Sequence, residues 1–295
     1  MPQVSASNPL GSVVGQTIGG IITINFPITI EFDIARANNS ETNYANIRIY
    51  NLNEVTRNAI FKDWGLLDYM MPVELKAGYG NDLSTIFLGT IFESCSYKNE
   101  NSTEIITEMT GWDGGEAMAT AYGAIQENNP ILKTDLIKKV INTMNGRGVT
   151  LGVVSDYSET NFLKFRADGL SWKTLKSIVG DDVFIDNGKV HCLKKTDSPT
   201  QNVFQLNSST GLLASPRKYQ QNITVEILFE PKIMLGQKVN LVSSVNSIYN
   251  NIYTVTGIRH TGIISGAVNG KCKTTLTMVV GAAQEQDILQ KAING

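Results

Sequence analysis

The chain has 295 residues, of which 42% are hydrophobic, and a mean hydropathy of −0.08, values typical of a globular protein with two or three cores. It carries 25 basic and 27 acidic residues, for a formal charge of −2. Proteins that grip phosphate backbones usually show a basic excess, so we predict no specific nucleic-acid binding. No apolar run reaches the roughly 18 residues of a membrane helix, so we predict no membrane partner.

Residues 1–20 are small and polar and lack the basic start and compact apolar run of a signal peptide, so we predict a flexible N-terminal arm. Over residues 21–112, β-branched and polar residues alternate in at least five short runs, beginning with INFPITIEFDIARA. Asn53 is a suitable N-cap for one short helix. Short strands separated by turns rich in Gly, Asn and Ser favour a first small antiparallel β-barrel domain.

Residues 113–209 have a different pattern. A proline in the first turn and apolar residues at helical spacing predict a helix over residues 130–144. A second helix is expected over residues 171–180, which end in a glycine. The pair Asn187-Gly188 stands between two apolar runs and indicates a tight β-hairpin. We therefore predict an α+β middle region.

The strand pattern returns over residues 210–282, which predict a second β-barrel domain, and residues 283–295 predict a C-terminal helix or tail. The fold class expected for the whole chain is mainly β with an α+β insert. In this interpretation two similar antiparallel β-barrel domains flank a small α/β middle region.

A faint repeat relates the two β-rich blocks. Val73-Glu74-Leu75 and Val239-Asn240-Leu241 each begin a strand, and further along Thr90 and Thr256 fall in step. Unrelated β-hairpins can share such a pattern, so duplication and coincidence both stand as explanations.

Few residues suggest chemistry. His191 and Cys192 are neighbours on a predicted strand and therefore point to opposite faces, which argues against a catalytic thiol-imidazole pair. His260 ends a strand beside a glycine-rich loop, where a structural hydrogen bond is favoured over a base or a metal ligand. The other cysteines, Cys95 and Cys272, lie far apart, and we expect three reduced structural thiols.

Two acidic clusters have similarly plain explanations. Asp181, Asp182 and Asp186 lack the alternating oxygen ligands of a calcium loop, and a helix exit followed by a turn accounts for them. Trp112-Asp113-Gly114-Gly115-Glu116 offers two carboxylates and an aromatic ring, as a glycan cleft would, but a domain hinge is the favoured interpretation. We predict no catalytic residue, no cofactor-binding residue and no metal ligand, and therefore no cofactor and no enzyme.

The ordered set of β-rich segments resembles the baseplate hub family of contractile bacteriophage tails. IEFDI, NYANIRIYNLNEVTRNAI and VELKAGYGNDLSTIFLGTI resemble the first domain of these hubs, and TGLLASPRKYQQNITVEILFEPKIMLGQKVNL with NIYTVTGIRHTG resembles their closing barrel. The residues that match the closing barrel are Gly211, Leu212, Leu213, Pro216, Pro231, Gly236, Tyr253, Val255, Ile258, His260 and Gly262.

This resemblance implies a structural role. The family's hubs are homotrimers with two similar barrels per subunit, so that three chains present six near-equivalent surfaces. The implied function is a ring that adapts a six-fold tail tube to a three-fold central spike and leaves a channel for DNA. The implied partners are the tail tube protein, the central spike protein, baseplate wedge proteins and the tape measure protein. The implied location is the phage tail baseplate in the virion, assembled in the bacterial host cytoplasm.

Two alternatives belong to other functional classes. A glycan-binding β-domain protein of a virion or cell surface would require exposed aromatic clusters, and the aromatic fraction is only 8%. A tail-associated cell-wall hydrolase would require a compact acid-base set.

Overall fold

The computed structural model of the protein describes residues 9–17, 20–39, 42–63, 71–158, 160–245, 247–267 and 270–280. The expected C-terminal helix or tail over residues 283–295 lies outside the described residues. Over the described parts of the chain, no helix is both long enough and apolar enough to span a membrane.

Over its described residues, the first block of the chain contains seven strands and one helix. They are β1 (Pro9–Thr17), β2 (Gly20–Asn25), β3 (Ile30–Ala37), β4 (Asn43–Tyr50), α1 (Glu54–Ile60), β5 (Met71–Tyr79), β6 (Asp82–Lys98) and β7 (Ile105–Asp113). Asn53 caps α1, as expected, by accepting a hydrogen bond from the backbone N–H of Thr56 at 2.8 Å.

The middle region alternates short strands with three helices. They are α2 (Gly115–Thr120), β8 (Tyr122–Glu127), β9 (Ile131–Leu132), α3 (Lys133–Asn142), β10 (Thr150–Val154), β11 (Asn161–Phe162), β12 (Phe165–Leu170), α4 (Ser171–Val179), β13 (Val183–Asp186) and β14 (Lys189–Cys192). The predicted first helix begins three residues later than expected, because residues 131–132 pair as β9 with β11. The Asn187-Gly188 turn joins β13 to β14 as predicted.

The last block is again made of strands. They are β15 (Phe204–Leu206), β16 (Arg217–Tyr219), β17 (Asn222–Leu228), β18 (Lys238–Leu241), β19 (Asn251–Ile264) and β20 (Lys273–Val279). We call β1–β7 the first half and β15–β20 the second half.

Part of the predicted arm is a strand. β1 pairs with both β2 and β5, although residues 1–20 were expected to be flexible. The physical reason is Val13, which lies opposite Leu75 of β5 and is only 3% exposed. Burying this side chain against the sheet offsets part of the conformational entropy lost when the segment is ordered.

Both halves belong to one large, mainly antiparallel sheet, in which thirteen strands of the described residues take part. Its main path runs β16-β17-β20-β19-β3-β4-β7-β6-β5-β1-β2, and β15 joins through β18 to β19. Over the described residues this path is open, so the two closed barrels of the sequence prediction are not confirmed. The long β19 pairs through Asn251–Thr254 with β18 and through Gly257–Ile264 with β3 of the other half.

Strand order repeats between the halves. The order β3-β4-β7-β6-β5 recurs as β16-β17-β20-β19-β18, with every neighbouring pair antiparallel. The outermost positions differ, because β1 is antiparallel to β5 whereas β15 is parallel to β18. The similarity first noticed in the sequence therefore has a counterpart in the topology.

A bulge in each half fixes the alignment of the repeat. The register of β6 against β7 shifts at Phe92, and the register of β19 against β20 shifts at Thr256. Matching the bulges makes these two residues equivalent, and it also makes Val73 equivalent to Val239, as the sequence suggested. The sequence alignment had matched Thr90 with Thr256, but in the structure the equivalent of Thr90 lies two residues before Thr256. A shift of two residues along a strand leaves both side chains on the same face of the sheet.

The buried side chains form three clusters, one for each part of the chain. Two of the clusters borrow residues from a neighbouring part. Phe229 and Ile264 of the second half belong to the core of the first half, and Phe184 and Leu193 of the middle region belong to the core of the second half. These shared side chains are where the three parts contact one another.

Candidate assembly site

The two halves meet at the pairing of β19 with β3, which extends over eight residues of each strand. The exposed face of this junction carries a bidentate ion pair, in which Arg259 donates to the two carboxylate oxygens of Asp33 at 2.8 and 2.6 Å. The opposite face is buried and carries Arg36 and His260. The junction therefore has charged groups on both sides of the sheet.

Arg36 links all three parts of the chain. Its guanidinium donates to Asp186 Oδ1 at 3.0 Å, to the carbonyl oxygen of Ile233 at 3.3 Å and to His260 Nε2 at 3.0 Å. Arg36 belongs to β3 of the first half, Asp186 to β13 of the middle region, and the other two residues to the second half. The side chain of Arg36 is 2% exposed and that of Asp186 is 8% exposed, so solvent screens this ion pair little.

The hydrogen bonds determine the state of His260. A guanidinium has no acceptor, so His260 Nε2 is the acceptor from Arg36 and Nδ1 carries the proton, which is donated to Thr274 Oγ1 at 2.9 Å. Complete burial, reinforced by the Arg36 charge, holds the pKa of His260 well below its usual range. The neutral ring thus connects β3, β19 and β20 through hydrogen bonds.

Asp113 lies near the same cluster at the end of β7. Its Oδ1 accepts a hydrogen bond from the backbone N–H of Gly188 at 2.9 Å. Burial, followed by the nearby charge of Asp186, raises the pKa of Asp113 to about 7. Two carboxyl groups therefore lie near one guanidinium, and Asp186 is the one that pairs with it.

The tip of the β13–β14 hairpin is held against the first half. Besides the bond from Gly188 to Asp113, the side chain of Asn187 donates to the carbonyl oxygen of Thr85 at 3.3 Å. Asn43 in β4 donates to the carbonyl oxygen of Ile185 at 2.7 Å. The predicted Asn187-Gly188 turn is therefore also a docking element between the middle region and the first half.

The structure separates the three aspartates of the possible calcium cluster. Asp186 faces Arg36, whereas Asp182 accepts from the hydroxyl of Tyr157 at 3.4 Å and Asp181 is exposed on a short 3₁₀ turn. Within the ranges that the structure describes, no three His, Cys, Asp or Glu side chains are grouped as metal ligands would be.

The two carboxylates of the possible glycan cleft also have different surroundings. Asp113 is buried, whereas Glu116 Oε1 lies 3.4 Å from Arg147 Nη1. Gly114 between them adopts φ = 69° and caps α2, so the chain turns sharply where β7 ends. The ring of Trp112 packs on Phe92 with 4.2 Å between ring centroids.

His191 and Cys192 face opposite sides of β14, as strand geometry requires. The ring of His191 stacks on Phe184 at 5.2 Å, and its Nδ1 accepts from the backbone N–H of Val153 at 3.2 Å. Cys192 lies in the core of the middle region, where burial raises the pKa of its thiol to about 12. All three cysteines are free thiols, and Cys95 is exposed.

Sequence reasoning did not single out Arg36, although a signal was present. In β3 the alternation places Ile30, Phe32, Ile34 and Arg36 on the buried face. A charged residue at an inward-facing position of a strand needs a buried partner, so its position alone marked it as part of an internal polar network.

Two strands at the ends of the repeat carry exposed residues. β16 is the terminal strand of the main path, and all three of its residues are exposed. β6 extends beyond β5, which pairs with it only as far as Ile91, and residues 95–98 of this extension are exposed. On that side of β6 the backbone of Ser94 exchanges two hydrogen bonds with Lys62.

Comparison with known proteins identifies the family. A model of the family described as "Baseplate hub gp41" matches residues 12–262. The chain belongs to the baseplate hub gp41 family. A search of curated protein sequences finds no match.

Solved structures with a similar fold come from tail proteins. A tail protein of Neisseria meningitidis MC58 has a TM-score of 0.61 at 11% identity, with 92% of this chain and 96% of that one covered. The 43 kDa tail protein of prophage MuSo2 from Shewanella oneidensis has a TM-score of 0.59 at 11% identity, with 91% and 96% covered.

A third similar structure comes from a secretion system. The E. coli c3393 protein has a TM-score of 0.55 at 9% identity, with 87% of this chain and 74% of that chain covered. It is described as a component of the type VI secretion system with structural similarity to the T4 tail proteins gp27 and gp5. At these identities the similarity concerns the fold, whereas the family assignment rests on the sequence model.

Proposed function

We propose that the chain is the structural hub of a phage tail baseplate, and that three copies form a ring that adapts a six-fold tail tube to a three-fold central spike. The open centre of the ring serves as the channel for DNA. The hub is part of the virion and is assembled in the host cytoplasm. Its partners are the tube protein on one face, the spike protein on the other, and wedge and tape measure proteins.

The repeated strand order is the observation that carries this proposal. Each chain contains two sets of five strands in the same order and sense, and the sets are joined edge to edge at β19 and β3. A ring of three such chains presents six similar units to a six-fold tube while keeping three-fold symmetry for a spike. We propose that each half acts as one barrel-like unit of this ring, with the middle region inserted between them.

The buried network around Arg36 supports a rigid hub. A ring that transmits load between tube and spike needs its two units held at a constant angle. Arg36 bonds to both the middle region and the second half, and the hairpin tip docks on Asp113. Groups that lie in different parts of the chain therefore satisfy one another, so displacing one part leaves buried polar atoms unpaired.

The proposal includes the absence of an enzymatic role. The carboxylates and histidines that could suggest catalysis are instead engaged in structural contacts, as for Asp186, His260 and His191. Incubation of the purified chain with peptidoglycan is expected to release no soluble fragments, whereas a tail lysozyme assayed in parallel does so. Release of fragments by this chain would contradict the proposal.

Mass in solution tests the ring. Light scattering coupled to size-exclusion chromatography is expected to give three times the chain mass of 32.2 kDa. Electron microscopy of the same fraction is expected to show a ring with three-fold symmetry, six similar peripheral units and an open centre. A chain that remains monomeric over a range of concentration and salt would overturn the proposal.

A further inference from the structure

We propose that Asp113 is a proton-operated clamp between the first half and the middle region. While its carboxyl group is neutral, Asp113 helps to hold the tip of the β13–β14 hairpin on the first half, and ionisation of the carboxyl group weakens that hold. The clamp connects two parts of one chain. The inference therefore goes beyond the proposed hub function and does not depend on the number of chains in the ring.

The first half contacts the hairpin through a row of three buried polar side chains. Arg36, Asn43 and Asp113 belong to the neighbouring strands β3, β4 and β7 and are 4%, 3% and 1% exposed. Asn43 lies directly opposite Asp113. Each member of the row holds one residue of the hairpin, and the pairs are Arg36 with Asp186, Asn43 with Ile185 and Asp113 with Gly188. Asp113 is thus one of the points at which the two parts are joined.

The hydrogen bonds around Asp113 favour a neutral carboxyl group. Oδ1 accepts from the backbone N–H of Gly188, but Oδ2 is buried and has no hydrogen-bond partner among the described residues. The side-chain oxygen of Asn187, in the same turn, is a second buried acceptor without a partner in that part of the chain. A carboxylate only accepts hydrogen bonds, whereas a neutral carboxyl group also carries a donor. Protonation therefore supplies the kind of group that this turn lacks.

The charges in the cluster favour the same state. The Arg36 guanidinium lies 3.0 Å from Asp186 Oδ1, so one carboxylate already neutralises it. An ionised Asp113 would place a second carboxylate near the same guanidinium, at a site that solvent does not reach. Burial, followed by the charge of Asp186, accordingly raises the pKa of Asp113 to about 7.

The other side chains near Asp113 are uncharged, exposed or already paired. The uncharged ones are Asn43 of β4 and Leu88 of β6, which packs on the turn. His260 stays neutral, because burial holds its pKa well below the usual range. Lys189, the residue after the turn, is exposed, and Glu116 of α2 forms an ion pair with Arg147. The charge of this cluster near pH 7 is therefore set by Asp113.

The sign of the pH dependence follows from the two states of the clamp. The pKa of Asp113 is about 7 in the docked state, and it returns to the ordinary 3.8 when the tip moves away and the carboxyl group meets solvent. The proton binds more tightly to the docked state, so docking weakens as the pH rises from about 4 to 7 and changes no further above that range. The two pKa values imply a total weakening of about 1,000-fold, of which about tenfold falls between pH 6 and pH 8.

Hydrogen exchange at the Gly188 amide measures the hold, because this N–H is the donor to Asp113. The experiment follows the full-length protein, with isotopically labelled glycine, by NMR between about pH 6 and pH 8. Asp113→Asn is the matched control. Its side-chain amide keeps an acceptor for Gly188 and a donor in place of the carboxyl proton, but it does not titrate. The sequence around Gly188 is unchanged, so the chemical pH dependence of exchange cancels in the ratio of wild type to variant.

This ratio of exchange rates at Gly188 is expected to rise about tenfold between pH 6 and pH 8. A ratio that stays constant would overturn the clamp. Gly111, in the central strand β7, is the reference for opening of the whole chain. Gly188 is expected to be less protected than Gly111 throughout, and equal protection would contradict a hairpin that opens by itself. If Asp113→Asn does not fold, the wild-type rate is divided instead by the rate of an unstructured peptide of the same sequence.

The chemical shift of the Gly188 amide proton tests the charge of its acceptor in the same samples. In the wild type the shift is expected to titrate with a midpoint near pH 7. In Asp113→Asn it should remain constant, and a titration that persists there would assign the proton to another group and overturn the clamp. A shift that titrates while the exchange ratio stays flat would also overturn it, because Asp113 would then hold a proton without controlling the hairpin.

Discussion

Replacing Arg36 with methionine tests whether the buried network holds the parts of the chain together. The change removes the partner of the Asp186 carboxylate and the donors to Ile233 and His260, all of them buried. Leaving one charge of a buried ion pair unpaired costs about 3–5 kcal/mol. We therefore expect Arg36→Met to lower the free energy of unfolding by about 3–5 kcal/mol.

The junction itself provides a matched control. Arg259 pairs with Asp33 across the same two strands, but on the exposed face, where the side chains are 56% and 36% exposed. Solvent and salt screen such a pair, so Arg259→Met is expected to cost about 0–1 kcal/mol. The assay is equilibrium unfolding in urea, followed by far-ultraviolet circular dichroism at pH 7.

A double variant separates the unpaired charge from lost packing. Arg36→Met combined with Asp186→Leu buries no charge at this site and is expected to be more stable than Arg36→Met alone. The reasoning is refuted if Arg36→Met costs no more than Arg259→Met, or if removing Asp186 as well makes the protein still less stable.

Two further predictions concern other parts of the molecule. Asp113 has a pKa of about 7 in the folded protein, whereas the ordinary pKa of an aspartate is 3.8. Asp113 therefore makes the free energy of unfolding fall as the pH rises from about 4 to 7, by up to about 4 kcal/mol. Asp113→Asn is expected to flatten this pH dependence, measured by urea unfolding. Gly188→Ala, at φ = 70°, is expected to cost about 1–3 kcal/mol in the same assay.

The Asp113 prediction has its own control. Asp113→Asn should leave stability at pH 4 nearly unchanged, and a dependence as steep as that of the wild type would assign the effect to another group.

Sequence pattern alone was sufficient for several of the local elements. Alternation in IEFDIARA and ITVEIL predicts strands because one face of each is buried, and β3 and β17 lie there. Asn53 caps a helix and Asn187-Gly188 forms a hairpin turn, since both depend on a few adjacent residues. The ordered resemblance to baseplate hubs is likewise confirmed by the family to which the chain belongs.

Long-range pairing was decided only by the tertiary structure. Alternation shows that β19 is a strand, but it does not show that the end of β19 pairs with β3, about 220 residues away, in preference to closing its own half. A strand edge offers the same N–H and C=O groups to any partner, so length and position decide which edge is filled. Sequence analysis singled out Asp186 and His260 separately and gave them no shared role. Only folding brings both side chains to Arg36, where each accepts a hydrogen bond from the buried guanidinium.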